Sequence, residues 1–337
     1  MRKEVIKMGG GEWTTDVFSE REKARVASGK KVFDYDDYTK RYSRDKWKAH
    51  PNLDPKGIRF RESRDSAEHA YSLAIATLFD VTGSMRTLPQ IFQKKLGELN
   101  GLVVRKGWAE HPQFLFGAIG DATCDSVPLQ IGQFESDNRM DENLEKILLE
   151  GGGGAQKTES YELATYFMAR HTDIDCWNIR RHKGYLFIIG DEMVYPNVKA
   201  REVADVIGDT LQENISTVEI FEEVKKRYET FYILPTAASN GRDPEVLASW
   251  RKLLGQNVLQ LEDPEAVCET IALQIGLSEG TTDLDAGSKN LAEFGVSKST
   301  ILAVRNAVVP VHGRLVKGDS GTNLGPIDTD KPKYRLL

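Results

Sequence analysis

The chain has 337 residues, 40% hydrophobic and 28% charged, ordinary proportions for a protein that folds around a full-sized core. Its formal net charge of -6 lacks the electrostatic footprint of a protein that holds nucleic acid mainly through phosphates, so no nucleic-acid partner is expected. No apolar run reaches the roughly 18 residues of a spanning helix, and the opening MRKEVIKMGGGEW meets glycine before any apolar signal core. Neither membrane insertion nor export is therefore expected, and the cytoplasm is the default location.

Residues 1–70 are polar, with Trp13, Phe18, Phe33, Tyr35, Tyr38, Tyr42 and Trp47 scattered among charges and no sustained period. Turn signals at His50-Pro51 and Asp54-Pro55-Lys56-Gly57 predict short helices and an extended arm, an N-terminal extension and not a domain. From 71 the character changes. SLAIATLFD (72–80) reads as a buried strand, and 88–104 has apolar residues at helical spacing. Strands follow at 113–121 and 129–134, then a helix over 138–150, a glycine run 151–154, and a helix over 158–171. GYLFIIGD (184–191) is the next strand, with a helical region over about 199–228, a strand at 230–236, and a helix opening at Asp243-Pro244. A strand at 257–263 and a helix at 264–276 complete the series, so a compact domain is expected over 71–279.

Apolar strands alternating with helices predict an α/β fold: a doubly wound, mainly parallel six-stranded sheet with helices on both faces. Residues 280–337 read as a C-terminal extension with a short helix over 296–309 and a mobile last 25 or so residues rich in Gly, Pro and Asp. Cys124, Cys176 and Cys268 are odd in number and lack CxxC spacing, so they read as packed or free thiols. His111, His171 and His182 lack ligand spacing and read as surface or capping residues.

In a doubly wound sheet, ligands bind beyond the carboxyl ends of strands near the point where strand order reverses. There the sequence puts Asp80, Asp121 and Asp191. FDVTGSM adds Thr82 and Ser84, hydroxyls that make poor core material at a strand end but suit a hard cation such as Mg2+ or Mn2+. Asp121 reads either as a carboxylate orienting a metal-bound water or as a cap for the following turn, and Glu192 as a solvated charge. The glycine run lacks the GKT or GKS ending of a P-loop.

DVTGSM resembles the DxSxS-type first loop of von Willebrand factor A (vWA) domains, with Thr82 where serine is commonest. GGGGAQKTESYELA and FIIGDEM are similar to that family's second and third loops, and the resemblance spans roughly residues 71–277. It implies a vWA/Rossmann-like fold and a metal-ion-dependent adhesion site (MIDAS). Asp80 and Asp191 would offer carboxylates, and Thr82, Ser84 and Thr158 hydroxyls, with Ser160 or Gln156 as alternatives to Thr158. It also implies a non-enzymatic interaction module whose cation bridges to a partner's Asp or Glu, as in intracellular scaffolds, some of which serve AAA+ ATPases. Two other readings stand beside it. FDVTGSM also resembles the DKTGT motif of haloacid-dehalogenase-like phosphoryl-transfer enzymes, which would make Asp80 a nucleophile, although no matching lysine or GDxxxD segment follows. Polar ends flanking a compact domain also permit a structural component of a large assembly.

Overall fold

A computed structural model describes residues 12–33, 35–85, 87–151 and 157–312. Its centre is a six-stranded sheet: β1 Ser72–Asp80, β2 His111–Ile119, β3 Leu129–Ile131, β4 Gly184–Ile189, β5 Tyr228–Pro235 and β6 Val258–Leu261. The strand order is β6-β5-β4-β1-β2-β3, parallel throughout except where β3 pairs antiparallel with β2. This is the expected doubly wound α/β fold. The chain leaves β1 toward β2 and returns to lay β4 on its other side, so strand order reverses between β1 and β4.

β1 is buried along its whole length, as a central strand covered on both faces must be. Alternation divides its side chains between two cores. Leu73, Ile75 and Phe79 join the core beneath α3 (Leu88–Arg105) and α10 (Val267–Ser278), while Ala74, Ala76 and Leu78 join the core beneath α5 (Tyr161–Arg170), α8 (Thr217–Lys225) and α9 (Pro244–Leu254). Asp80 continues the second set, which points it toward the start of α5.

The helices begin and end where the sequence signals them. α9 opens on the Asp243 side chain, which accepts from the Glu245 amide, has Pro244 at its first turn, and stops at Gly255 with φ +61°. Three expected elements come out differently. The 138–150 helix ends early, as α4 (Arg139–Glu145), because Glu150 turns back to accept from the amides of Ser126 and Val127. The 199–228 region is two helices, α7 (Ala200–Val206) and α8, joined through a two-residue antiparallel pairing of 197–198 with 215–216. The predicted C-terminal extension is folded as far as residue 312. There α11 (Leu284–Glu293) and α12 (Lys298–His312) bury Leu291, Ala303, Val304, Ala307 and Val308 against the first core. The expected mobile tail, 313–337, lies outside the described residues.

The N-terminal segment forms α1 (Thr15–Ala27), α2 (Tyr35–Arg41) and a short strand, Arg61–Ser63, that pairs parallel with Thr172–Ile174. Trp13, Phe33 and Leu53 are buried in it, whereas Tyr42 is half exposed. Cys124, Cys176 and Cys268 are free thiols. His171 is buried and bonded to the Ile58 carbonyl (2.8 Å) and Asp209 (2.7 Å), a structural latch. No helix among the described residues is long and apolar enough to cross a membrane.

Candidate metal centre

Asp80 is fully buried at the carboxyl end of β1, on the line where strand order reverses. One of its oxygens accepts from the Thr82 amide at 2.6 Å and the other from the Tyr161 hydroxyl at 3.1 Å. Thr82 is buried beside it, with its hydroxyl facing the same carboxylate. Ser84 sits one turn on, in the short 3-10 helix Gly83–Met85, and its side chain lies outside the described part of the structure. Asp191 is fully buried two residues beyond β4, where the Asn240 amide donates to it at 2.9 Å.

The second loop is stitched to the third. Residues 158–159 form a two-residue strand parallel to 193–194, and the Met193 amide donates to the Lys157 carbonyl at 2.9 Å. Alternation along that strand separates its two side chains. Thr158 stands beside the Tyr195 hydroxyl, which in turn donates to Asp121 at 3.0 Å. Glu159 turns inward, only 1% exposed, toward Asp80 and Glu192. Ser160, an alternative to Thr158, accepts from the Ala122 amide at 2.9 Å and thereby ties the second loop to the Asp121 turn. Gln156, the other alternative, lies outside the described residues.

Asp121 is fully buried and caps its own turn, accepting from the amide and hydroxyl of Thr123, both at 2.8 Å. Its charge nonetheless reaches the cluster, because it helps to raise the pKa of both Glu159 and Glu192. Glu192 is not a solvated charge: its carboxyl is half-buried within hydrogen-bonding reach of Glu159, and its carbonyl accepts from Trp250 (2.8 Å) and Tyr232 (3.3 Å).

So much buried negative charge perturbs the acids themselves. Burial pushes Asp80 up to about 7, and the charge of Asp191 adds to the effect while the bonds from Thr82 and Tyr161 oppose it. Burial together with Asp80 and Asp191 raises Glu192 to about 8, and burial with Asp80, Glu192 and Asp121 raises Glu159 to about 11. Among the described residues, no lysine or arginine is paired with Asp80, Glu159 or Glu192. No three carboxylate, imidazole or thiolate groups among the described residues converge closely enough to chelate an ion by themselves. A cation here would need hydroxyl and water oxygens as well as carboxylates, which is the donor set a hard divalent ion prefers.

The solved structures that are similar to this chain include the following three. The pilus adhesin SpaC from Lactobacillus rhamnosus GG, in its open conformation, matches with a TM-score of 0.44 and 8% identity over 64% of this chain and 31% of that one. The chain thus spans about a third of that adhesin's length. Proximal thread matrix protein 1 from the mussel byssus matches at 0.40 with 11% identity, over 61% of this chain and 48% of that one. The vWF domain of the type V pili tip protein Mfa5 from Porphyromonas gingivalis matches at 0.40 with 10% identity, over 62% of this chain and 96% of that one. No family model and no curated protein matches. The chemistry of the site rests on its own residues.

Sequence reasoning named Asp80, Thr82 and Asp191 at the strand ends, and the structure gathers them at one edge of the sheet. It missed Glu159 and Tyr161, which complete the buried wall around Asp80. Gly190 is the sequence signal for Tyr161, because a Cβ there would lie 2.0 Å from the Tyr161 hydroxyl oxygen. Gly190→Ala should therefore displace the tyrosine from Asp80, at a cost of about 1–3 kcal/mol by overpacking. Chemical denaturation checks the loss, and partial relief by a second substitution, Tyr161→Phe, would attribute the worst of the clash to the hydroxyl, since the ring carbon Cζ remains 2.8 Å from the added Cβ.

Proposed function

We propose that the chain is a non-enzymatic interaction module that binds Mg2+ or Mn2+ through Asp80 and Asp191, with hydroxyls from Thr82, Ser84 and Thr158. The observation that carries this reading is Asp80: fully buried at the reversal of strand order, beside the buried Thr82 hydroxyl and under the charge of Asp191. A divalent ion would supply a positive centre that accepts a further anionic oxygen, so the natural ligand is an Asp or Glu side chain of a protein partner. Asp80 and Asp191 hold the charge; Tyr161 and Asn240 fix the two carboxylates; the pairing of 158–159 with 193–194 keeps the second and third loops together. Asp121 and Tyr195 position Thr158. A cytoplasmic adaptor or scaffold, with an AAA+ ATPase among the candidate partners, is the setting this reading favours.

Phosphoryl transfer is the weaker reading, because the likeness to DKTGT is not accompanied by the lysine and GDxxxD segments that such chemistry would use. Affinity capture from a native extract tests the proposal. Retention of specific partners is expected in Mg2+ and not in EDTA, and not with Asp80→Ala under either condition. A partner set indifferent to both would sink the proposal, and phosphate release that depends on Asp80 would replace it.

A further inference from the structure

Away from the sheet's carboxyl edge, a cavity of about 360 Å3 opens between the 51–61 segment, residues 133–135 beyond β3, and α4. That volume lies within the range of small-molecule sites. Arg61, 8% exposed, forms part of its lining. One terminal nitrogen of Arg61, Nη2, donates to the carbonyls of Asn52 and Ile131, both at 2.8 Å. Nε is buried without a partner, and no carboxylate among the described residues stands within ion-pair distance of the guanidinium.

The other charges of the cavity are accounted for. Glu135 pairs with Arg139 at 3.0 Å, and Glu142 faces Lys146 at 3.8 Å and Arg21 at 3.5 Å. Asp54 and Glu135 act on Arg61 only through their charge at longer range. Burial lowers Arg61 to about 10, which still leaves it protonated at neutral pH. A buried cation without a counter-ion is costly unless something anionic joins it. The remaining nitrogen, Nη1, has no hydrogen-bond partner among the described residues, so the guanidinium retains donor capacity for a ligand.

We infer that this cavity is a binding site for a ligand bearing a single carboxylate, which Arg61 receives. A monoanion is specified because Glu142, together with Glu135 where it is ionised, lines the same cavity and opposes a second negative charge such as that of phosphate. The carboxylate could belong to a free small acid or to a peptide C-terminus.

Titration of the full chain with N-acetylglycine, with an acetylated tripeptide and its C-terminal amide, and with inorganic phosphate tests the site by calorimetry. Saturable binding of one or both acids, with dissociation constants of order millimolar, is expected, and none of the amide or of phosphate. Tighter binding of the tripeptide acid identifies a peptide C-terminus as the source, and tighter N-acetylglycine a free acid. Arg61→Met should abolish binding. Because it also removes two carbonyl contacts, Lys146→Glu provides the second variant: it leaves those contacts in place and should weaken binding about tenfold by charge. No saturable binding of either acid, equal binding of the amide or phosphate, or undiminished affinity in Lys146→Glu would overturn the assignment.

Discussion

Without metal, the protein is expected to lose stability as pH rises from about 4 to 8, and Mn2+ or Mg2+ should offset part of that loss. Asp80 and Glu192 carry folded-state pKa values of about 7 and about 8, above the ordinary carboxylate range. A raised carboxyl costs nothing below its unfolded value, where both states are protonated. Above it the unfolded chain ionises first, so stability falls until the folded group ionises too. For fully buried Asp80 that window runs from about 4 to about 7, and the cost is on the order of 4 kcal/mol. Glu192 extends the decline toward pH 8, and Glu159, raised to about 11, extends it further.

A divalent ion competes with those protons and should bind more tightly as pH rises through the same window. Free ion at a hundred times its dissociation constant adds about 2.7 kcal/mol, so the melting temperature should rise by several degrees at pH 8 and little at pH 5. Asp80→Asn distinguishes this from a general salt effect. The amide keeps an acceptor for the Thr82 N–H without the buried charge, so the metal-free variant should be more stable than the parent at pH 8 and indifferent to Mn2+. Equal Mn2+ shifts in the parent and in Asp80→Asn would defeat the assignment.

The strand ends were legible because β1 and β4 are nearly continuous apolar runs, and an aspartate at the end of such a run stands out. Glu159 was not. A glutamate after Lys-Thr reads as a solvated charge, and only the two-residue pairing with 193–194 turns it inward. α11 was hidden for a related reason. Gly287 weakens helix propensity, yet a Cβ there would meet Leu273 Cδ1 at 2.3 Å, so close packing against α10 requires the glycine that obscures the helix. The strand Arg61–Ser63 is three polar residues whose pairing partner lies more than 100 residues away, and no local period could announce it.

Removal of residues 1–65 is the remaining large effect, and it separates a structural arm from one used only for partners. Trp13 is 9% exposed, its ring lies against Gly97 of α3, and its indole N–H donates to Asp141 at 2.9 Å. Losing one buried tryptophan costs about 3–5 kcal/mol, and the truncation also takes Phe33, Leu53 and the strand beside Thr172–Ile174. It strips Arg44 as well, which pairs with Asp125 at 2.6 Å and Glu150 at 2.7 Å, both side chains 2% exposed. Asp125 accepts from the Asp121 amide at 2.8 Å, so the loss reaches the candidate metal site through one side chain. The truncated protein is therefore expected to melt many degrees lower, or not to fold, and any folded fraction should bind Mn2+ more weakly. Arg44→Ala in the full chain should reproduce the weaker Mn2+ binding at a smaller cost, about 1–2 kcal/mol, because backbone amides still hold both acids. A truncated protein with unchanged melting temperature and Mn2+ affinity that has lost its partner would mean that the arm serves only as a binding surface.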